Sequence, residues 1–337
     1  MAANVPFKTG DVIKQSFTLQ LRIGSGTYGV IFSALYKTVD IYKHVAIKLE
    51  KSHPQQYTLQ INEIIVMKAM TESKHFAKFF QCGTCDKYKY VVMELLGPSL
   101  LCLINRKRPY KFTLLQLLKF GTQAVKILQE LHEAGFVHRD VKPDNFVIGN
   151  SLETSGTIYL IDFGLCKQLN KKDGLIIKPT VPGSFRGTMR YASPNAHKHI
   201  EMGRQDDLIS LLYMMIELFG GKLPWTSQTT DEDEISLLKE QSTPDVLLNK
   251  MPTVFHEFYH HIFTLDYEDE PDYDMLVDLF QEAAKDQKLD LDSPFEWEQE
   301  LKNQRAIVVK QQHIDFPVVN NISTQQQLEK DESQSGC

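Results

Sequence analysis

Two short stretches decide the fold: HRDVKPDNF at residues 138–146, and the apolar run IYLIDFG that ends at Gly164. The first contains two carboxylates and an amide, and the second ends in a carboxylate among apolar side chains. Phosphoryl transfer needs such groups, because a carboxylate must orient the hydroxyl and oxygen ligands must hold Mg²⁺. Their order and spacing, with a strand-like IYLI between them, are hard to produce by chance. The residues that carry the pattern are Asp140, Lys142, Asn145 and Asp162.

A glycine-rich segment near the start, LRIGSGTYGVIF, places Gly24, Gly26 and Gly29 in a GxGxxG pattern. Ordinary glycine turns and dinucleotide-binding turns share this pattern with phosphate-binding hairpins. A dinucleotide-binding turn needs a helix that starts at the glycines, whereas VIFSALY is rich in β-branched and aromatic residues and predicts a returning strand. We therefore favour a hairpin whose backbone N–H groups approach phosphate without a Cβ in the way.

A lysine and a glutamate follow the hairpin at the spacing that holds nucleotide phosphates. Lys48 ends HVAIK, a motif whose ammonium contacts the α- and β-phosphates. Glu63 is the candidate partner, on a helix through TLQINEIIVMKAM. Taken singly, either residue is more often a solvated surface charge, and only the combination of motifs favours an ion pair. The apolar face of this helix is predicted to contain Ile61, Ile65 and Met70.

Between these motifs lies YVVMELLGPSL, a buried-strand pattern that ends at Gly97 and Pro98. It suits a hinge that meets adenine through backbone groups of Glu94 and Leu96, with Met93 as the gatekeeper residue. The nucleotide pocket is expected to be lined by Ile23, Gly24, Ser25, Gly26, Gly29, Ile31, Ala46, Lys48, Met93, Glu94 and Leu96.

Several of these stretches resemble the casein kinase 1 superfamily of protein kinases. They are MELLGPSL, HRDVKPDNF, RYASPNAH and RQDDLISLLYMMIELFGGKLPW, and the triplet SPN stands where most kinases have APE. Within the superfamily, FRGTMRYASPNAHKHIEMGRQDDL and MPTVFHEFYHHIFTLDYEDEPDY are more similar to the tau-tubulin kinase-like branch. The resemblance covers about residues 16–297.

The motifs and the resemblance imply an α+β, bilobal protein-kinase fold. A small lobe with an antiparallel β-sheet and one helix should precede a large, mainly α-helical lobe. The expected boundaries are an N-terminal extension at 1–15, a kinase domain at 16–300 and a polar, disordered tail at 301–337. Within the kinase domain we expect the N-lobe at about 16–93, the hinge at 94–98 and the C-lobe at 99–300.

Two helices of the large lobe can be located from the sequence. The first runs through FTLLQLLKFGTQAVKILQELHEAG, where Thr113 and Gln116 give a capping-box pattern and Gly135 a stop. The second begins at Asp207, and in kinases that aspartate braces the backbone of the HRD turn. Its apolar stretch is interrupted by Glu217 and is too short for a membrane span.

Composition sets the remaining limits. A chain of 337 residues with 42% hydrophobic content accommodates one large two-lobed domain. The start, MAANVPFKTGD, lacks the apolar core of a signal peptide, so we expect a cytoplasmic and also nuclear location. Five cysteines, an odd number, argue against a disulfide framework. We expect a monomer that binds neither nucleic acid nor membrane.

Charge is unevenly spread along the chain. Residues 228–300 hold 21 acidic side chains and 4 lysines, so they carry −17 and the rest of the chain carries +11. The catalytic motifs lie in the basic part, which favours ATP and acidic or phosphorylated peptides. For the acidic part we prefer the plainer interpretation that it forms solvated helix faces far from the site.

The resemblance implies a serine/threonine kinase that uses ATP and Mg²⁺ on protein substrates; tubulin and tau are the namesake cytoskeletal substrates of the branch. Asp140 would orient the hydroxyl, Asn145 and Asp162 would hold Mg²⁺, and Thr188 would pack against Asp140 and Lys142 to shape the peptide site. The alternative is a pseudokinase that binds nucleotide or a partner without turnover. It predicts the loss of a catalytic residue, and Lys48, Asp140, Asn145 and Asp162 are all present.

Casein kinase 1 proteins also have an anion pocket for phosphorylated substrates. Arg139 and Arg190 match two of its three cations, but Thr229 stands where the third, a lysine, is expected. The activation loop, residues 165–189, lacks an evident regulatory phosphosite, and Thr180 and Ser184 are ambiguous candidates.

Overall fold

The computed structural model describes residues 5–25, 29–38, 42–51, 59–106, 111–179, 184–226 and 231–311. The chain divides into a large unit, residues 1–295, and a smaller one, residues 296–337.

A six-stranded antiparallel sheet forms the small lobe. The first strand lies within residues 1–15, which we expected to be an N-terminal extension. Ile13 of this strand is buried in the core of the sheet, so the segment is part of the small lobe. The strands are β1 (Val12–Ile13), β2 (Phe17–Ser25), β3 (Gly29–Lys37), β4 (Tyr42–Lys51), β5 (Phe79–Cys85) and β6 (Tyr88–Glu94).

The strands follow the order β1-β2-β3-β4-β6-β5, so β4 lies between β3 and β6. Side chains of a strand alternate between the two faces of a sheet. Val45, Ile47 and Leu49 of β4 enter the hydrophobic core on one face. Ala46 and Lys48 therefore point to the opposite face. The glycine-rich segment returns as strand β3, which contradicts the dinucleotide-binding alternative.

Helix α1 (Leu59–Ala69) carries Glu63, but its buried face differs from the prediction. Ile65 is 44% exposed, whereas Val66 and Met67 are buried. The buried face therefore contains Val66, Met67 and Met70 together with the polar residue Glu63. Ile65 lies outside this face.

The large lobe is mainly helical, and together with the sheet it confirms the bilobal fold class. Its short strands are β7 (Phe136–Val137), β8 (Phe146–Ile148), β9 (Ile158–Leu160), β10 (Lys167–Gln168), β11 (Lys171–Lys172) and β12 (Leu175–Ile176). Its helices are α2 (Leu100–Arg106), α3 (Leu114–Glu133), α4 (Pro194–His197), α5 (Arg204–Gly220), α6 (Glu232–Gln241), α7 (Pro244–Leu247), α8 (Val254–Thr264) and α9 (Tyr273–Asp286).

The capping box of α3 is present as the sequence predicted. The Gln116 N–H donates to Thr113 Oγ1 at 3.3 Å, and the Thr113 N–H donates to Gln116 Oε1 at 2.8 Å. Gly135 has φ of +88° just beyond the helix, which a glycine adopts without strain.

Helix α5 begins at Arg204, three residues before the predicted start at Asp207. The Asp206 carboxylate accepts a hydrogen bond of 2.7 Å from the N–H of Gly203, so this glycine caps the helix. Nearly every residue of α5 is buried. None of the helices in the described ranges is long and apolar enough to cross a membrane.

Hydrogen bonds join the two lobes at the hinge and at β9. In the hinge, the N–H of Gly97 donates to Ile148 O at 2.8 Å. Beyond α1, the ring of His75 contacts Ile158 O at 2.7 Å, and the Leu160 N–H donates to His75 O at 3.0 Å. The segment after α1 is therefore attached to β9 of the large lobe.

Helix α10 (Glu296–Gln311) is the described part of the smaller unit. It crosses the expected domain boundary at residue 300. The rest of the predicted tail lies outside the described residues, so the disordered tail stays a prediction.

Candidate active site

Lys48 on β4 faces Glu63 on α1. The distance from Lys48 Nζ to Glu63 Oε2 is 2.8 Å, and Asp162 Oδ1 lies 3.6 Å from the same ammonium. Burial alone would lower the pKa of Lys48, but Glu63 and Asp162 outweigh it and raise the pKa. The lysine is therefore a charged group fixed between sheet and helix.

Asp162 and Phe163 begin the turn at the end of the IYLIDFG run. Phe163 is buried, with its ring centroid 5.6 Å from Phe76 and 5.7 Å from His138. Asp162 remains half exposed and has φ of +66°. Burial raises the pKa of its carboxyl, but Lys48 and His138 bring the pKa below its usual value. The Asp162 carboxylate is thus ionised and directed toward Lys48.

Asp207 on α5 braces the HRD turn, as expected. Its Oδ2 accepts from the N–H of His138 at 2.6 Å and its Oδ1 from the N–H of Arg139 at 2.8 Å. The ring of His132 lies 2.9 Å from Oδ2. Burial raises the pKa of Asp207, but the hydrogen bond and charge of His132 outweigh it and lower the pKa. This carboxylate fixes the backbone immediately before Asp140.

Asp140 is buried, and its carboxylate accepts hydrogen bonds from predicted site residues. Thr188 Oγ1 donates to its Oδ1 at 2.8 Å, and Lys142 Nζ donates to its Oδ2 at 2.7 Å. Lys142 also donates to Thr188 Oγ1 at 3.1 Å. The structure therefore brings together the carboxylate, the lysine and the threonine that the sequence singled out.

Asn145 is oriented by its amide nitrogen, which donates to the backbone oxygen of Asp140 at 2.8 Å. Its Oδ1 makes no hydrogen bond within the described part of the chain. The Ile161 N–H donates to the backbone oxygen of Asn145 at 3.0 Å, which ties this loop to the residue before Asp162. An amide oxygen and a carboxylate suit Mg²⁺, which binds one or two protein oxygens together with substrate phosphates.

The residues predicted to line the nucleotide pocket lie on neighbouring strands. Gly24 pairs with Ile31, and Ala46 pairs with Met93. Ala46 is buried, whereas Ile23 is 49% exposed. Ile23 and Ser25 lie with Gly24 at the end of β2, and Gly26 lies outside the described residues.

Gly29 is required by the close packing of two strands, whereas the sequence predicted that its backbone N–H approaches phosphate. A Cβ at Gly29 would lie 2.4 Å from the carbonyl oxygen of Leu49, which belongs to the adjacent strand. A Cβ at Gly24 would make ordinary contacts with Ile31, at 3.4 Å and beyond. The close approach at Gly29 is therefore between β3 and β4, within the sheet itself.

The hinge offers backbone groups to a ligand at Leu96. Neither its N–H nor its C=O makes a hydrogen bond within the described residues. The N–H of Glu94, in contrast, donates to Lys78 O at 2.9 Å and is not available. Of the two predicted adenine contacts, Leu96 is the one whose N–H the structure leaves free.

The two arginines predicted to form an anion site contact different carboxylates. Arg139 Nε donates to Leu165 O at 2.8 Å, and its Nη1 lies 3.6 Å from Glu201 Oε1. Arg190 Nη1 lies 3.5 Å from Glu217 Oε1. Thr229, the third position, lies outside the described residues. The anion site therefore stays a prediction, and each arginine already has a partner.

Sequence reasoning missed two residues of this region. Glu201 is buried, and besides Arg139 it binds Lys167 Nζ at 2.7 Å. Gly187 has φ of +100°, and a Cβ there would lie 2.5 Å from Arg139 O. The RGT segment with its glycine was a local signal for Gly187. Glu201 had none, because its partners lie far away in the sequence.

Comparison with known proteins assigns the family. A profile described as the protein kinase domain matches residues 17–285. A probable serine/threonine-protein kinase of Dictyostelium discoideum is 38% identical over 296 residues, which cover 88% of this chain and 59% of that relative. The serine/threonine-protein kinase spe-6 of Caenorhabditis elegans is 30% identical over 305 residues, which cover 88% of this chain and 80% of the relative.

The chain belongs to the protein kinase family, whose members are phosphotransferases that use ATP. It spans about 59% of the length of the Dictyostelium relative. Both relatives carry serine/threonine-kinase names.

Proposed function

We propose that this protein is an active serine/threonine kinase that transfers the γ-phosphoryl group of ATP to protein hydroxyls. The observation that carries the proposal is the Lys48–Glu63 ion pair of 2.8 Å, with Asp162 3.6 Å from the same ammonium. In protein kinases the lysine–glutamate pair and this aspartate must both be in place for transfer. Asp140 orients the substrate hydroxyl and accepts its proton late in transfer, while Lys48 contacts the phosphates.

Magnesium is the proposed metal, with Asn145 and Asp162 as its protein ligands. The free Oδ1 of Asn145 and the ionised, half-exposed carboxylate of Asp162 support this assignment. Mg²⁺ bound there neutralises charge on the phosphates of ATP.

A place in the casein kinase 1 superfamily, close to the tau-tubulin kinase-like branch, is the finer proposal. It rests on the sequence stretches and on the SPN triplet. Ser193 accepts a hydrogen bond from the N–H of Ala196, and Asn195 Nδ2 donates to Asp206 Oδ1 at 3.0 Å. The triplet therefore caps α4 and attaches it to α5, which gives it a structural role of its own.

The proposed substrates are proteins with serine or threonine, and acidic or cytoskeletal proteins are the first to test. The activation segment supports an acidic preference, because Lys171, Lys172 and Lys178 are exposed on it. A preference for tubulin or tau would follow the branch by analogy alone.

We also propose that the protein acts as a monomer in the cytoplasm and nucleus. Cys82, Cys85, Cys102 and Cys166, the cysteines in the described part of the chain, are all free thiols, as a reducing compartment requires. Light scattering of the purified protein would measure its mass, and imaging of a fluorescent fusion would show its location.

A peptide array with ATP and Mg²⁺ tests the proposal. We expect phosphate on serine and threonine peptides, and a strongly reduced signal with Asp140→Asn as the matched control. Nucleotide binding without any transfer would support the pseudokinase alternative. Transfer to tyrosine peptides alone would contradict the assignment to serine and threonine.

A further inference from the structure

Lys239 on α6 is a buried lysine whose ammonium binds the backbone of another segment. Its Nζ donates to Met189 O at 2.6 Å and to Ala192 O at 2.7 Å. The residue is only 5% exposed, so these hydrogen bonds are shielded from water. Buried lysines are rare and expensive, and they persist where their hydrogen bonds are needed.

No carboxylate lies within ion-pair distance of Lys239 among the residues that the structure describes. Its ammonium lies over the rings of Trp225, at 5.1 Å, and Tyr213, at 5.4 Å. The third polar contact is Nε2 of His197, at 3.1 Å. Burial lowers the pKa of Lys239 to about 7.

Because of the contact with His197, the hydrogen bonds from Lys239 to the two carbonyl oxygens can form whether the lysine is charged or neutral. A charged ammonium donates three hydrogen bonds, to both carbonyls and to an unprotonated Nε2. A neutral amine donates two, to the carbonyls, and accepts the third from a protonated Nε2. Burial lowers the pKa of His197 to about 4, so its ring is neutral and its Nε2 is available to Lys239.

The bound segment lies next to the proposed reacting groups. Met189 directly follows Thr188, whose hydroxyl binds Asp140. Within the segment the Arg190 carbonyl accepts from Trp225 Nε1 at 2.8 Å. Three carbonyl groups of this backbone, at residues 189, 190 and 192, therefore accept hydrogen bonds from side chains outside the segment. Met189, 37% exposed, is presented at its surface.

We propose that Lys239 is a positioning residue for the protein substrate. It fixes residues 189–192 in the conformation that receives the substrate chain beside the acceptor hydroxyl. The inference rests on the proposed kinase activity, since the segment has this role only if a peptide is phosphorylated. The hydrogen bonds of Lys239 go to Met189, Ala192 and His197, and not to the proposed nucleotide-binding or reacting residues, so its loss should affect peptide recognition before nucleotide binding.

Lys239→Met tests this, because methionine keeps the apolar stem and removes the donors. We expect the KM for a peptide substrate to rise about tenfold or more, since two buried carbonyls lose a donor. The KM for ATP should stay unchanged. Amide hydrogen exchange of residues 190–192 should accelerate, and this readout does not depend on activity.

Lys198→Met is the matched control. Lys198 pairs with Glu240 at 2.9 Å, and this half-exposed pair joins α4 to α6 without contacting the segment. We expect unchanged KM values and exchange rates. Lys239→Gln, whose amide keeps two donor hydrogens, serves if Lys239→Met fails to fold, and its peptide KM should rise less.

Unchanged peptide KM and exchange in a folded Lys239 variant would overturn the inference. So would equal increases in both KM values, or loss of ATP binding in both variants, because Lys239 would then serve general stability. If the unsubstituted protein phosphorylates no peptide, the proposed function fails, while hydrogen exchange still decides whether Lys239 fixes the segment.

Discussion

At the scale of single residues, two site residues are held in an unfavourable backbone conformation. Arg139 and Asp162 both have φ of +66°, in the left-handed region. Such positions cost on the order of 1–3 kcal/mol each and persist only where surrounding contacts enforce them. Asp207 enforces the first through two backbone N–H groups, and the buried ring of Phe163 enforces the second. The orientation of the Asp140 and Asp162 side chains thus depends on residues that do not contact the substrate.

Asp140→Asn should lower kcat by about 10²–10⁴-fold, the range for loss of a positioned general base. ATP binding should persist, because Lys48, Glu63 and Asp162 remain in place. Steady-state kinetics and a nucleotide titration measure the two effects. Turnover close to that of the unsubstituted protein would show that the catalytic assignment is wrong.

Asp162→Asn should act differently, because it removes a charged metal ligand beside Lys48. We expect nucleotide affinity to fall in the presence of Mg²⁺ and to change little in its absence. Calorimetric titrations with and without Mg²⁺ separate these cases. An equal loss under both conditions would mean that Asp162 supports the pocket without binding the metal.

Local motifs predicted the Lys48–Glu63 pair and the contacts of Asp140 with Lys142 and Thr188, because the spacing of the motifs reports chemistry directly. The partners that hold these groups could not be predicted in this way. Glu201 contacts Arg139 and Lys167, and Lys239 contacts carbonyls far from it in sequence. Glu201, in the segment between α4 and α5, and Lys239, on the polar helix α6, give no sign of burial in the sequence because only tertiary packing buries them.

At the scale of elements, prediction succeeded where a boundary is set by neighbouring residues. The box of Thr113 and Gln116 fixes the start of α3 within one turn. Prediction failed for the start of α5, where Gly203 is the N-cap residue and its N–H donates to the Asp206 carboxylate. It also failed for Ile65 on α1, because Glu63 is buried by its partner Lys48 and so displaces the apolar face.

Gly29→Ala should destabilise the small lobe, since the new Cβ would lie 2.4 Å from the backbone oxygen of Leu49. Overpacking of this kind costs about 1–3 kcal/mol in the free energy of unfolding. Gly24→Ala, with its nearest contact at 3.4 Å, is the control and should change stability little. Urea unfolding of both variants checks this, and equal losses would contradict it.

The activation segment should work without phosphorylation. Phosphate in loop-regulated kinases orders the segment by pairing with arginine. Here the buried carboxylate of Glu201 already binds Arg139 and Lys167. We expect phosphatase-treated protein, and a Thr180→Ala/Ser184→Ala variant, to keep the rate of untreated protein.

The matching loss-of-function variant is Glu201→Gln, which removes the charge and should lower the rate. Mass spectrometry of the treated protein controls for residual phosphate. Strict dependence of the rate on phosphate at Thr180 or Ser184 would contradict the prediction.

At the scale of the whole molecule, a phosphate already present on the substrate should influence substrate choice only weakly. Arg139 and Arg190 each have a carboxylate partner, and acidic residues follow Thr229 in the sequence. A charge-assisted hydrogen bond contributes about 1.5–3 kcal/mol when its donor is free. Because neither donor is free, we expect an upstream phosphoserine to raise kcat/KM less than about tenfold, below the contribution of even one such contact.

Thr229→Lys should enlarge this effect, because it restores the third cation of the pocket. The measurement compares one peptide with and without the phosphoserine, for both forms of the protein. A preference of a hundredfold in the unsubstituted protein would rule the idea out.

The attachment of His75 to β9 has a consequence for how the lobes can move. A single connection at the hinge would let the small lobe tilt in any direction. The attachments at Gly97 and at His75 define a line, and a rotation of the small lobe about that line leaves both intact. Opening of the cleft about this line would keep these two attachments and separate Lys48 from Asp162. A chain cut within the hinge would keep its halves together through the second attachment.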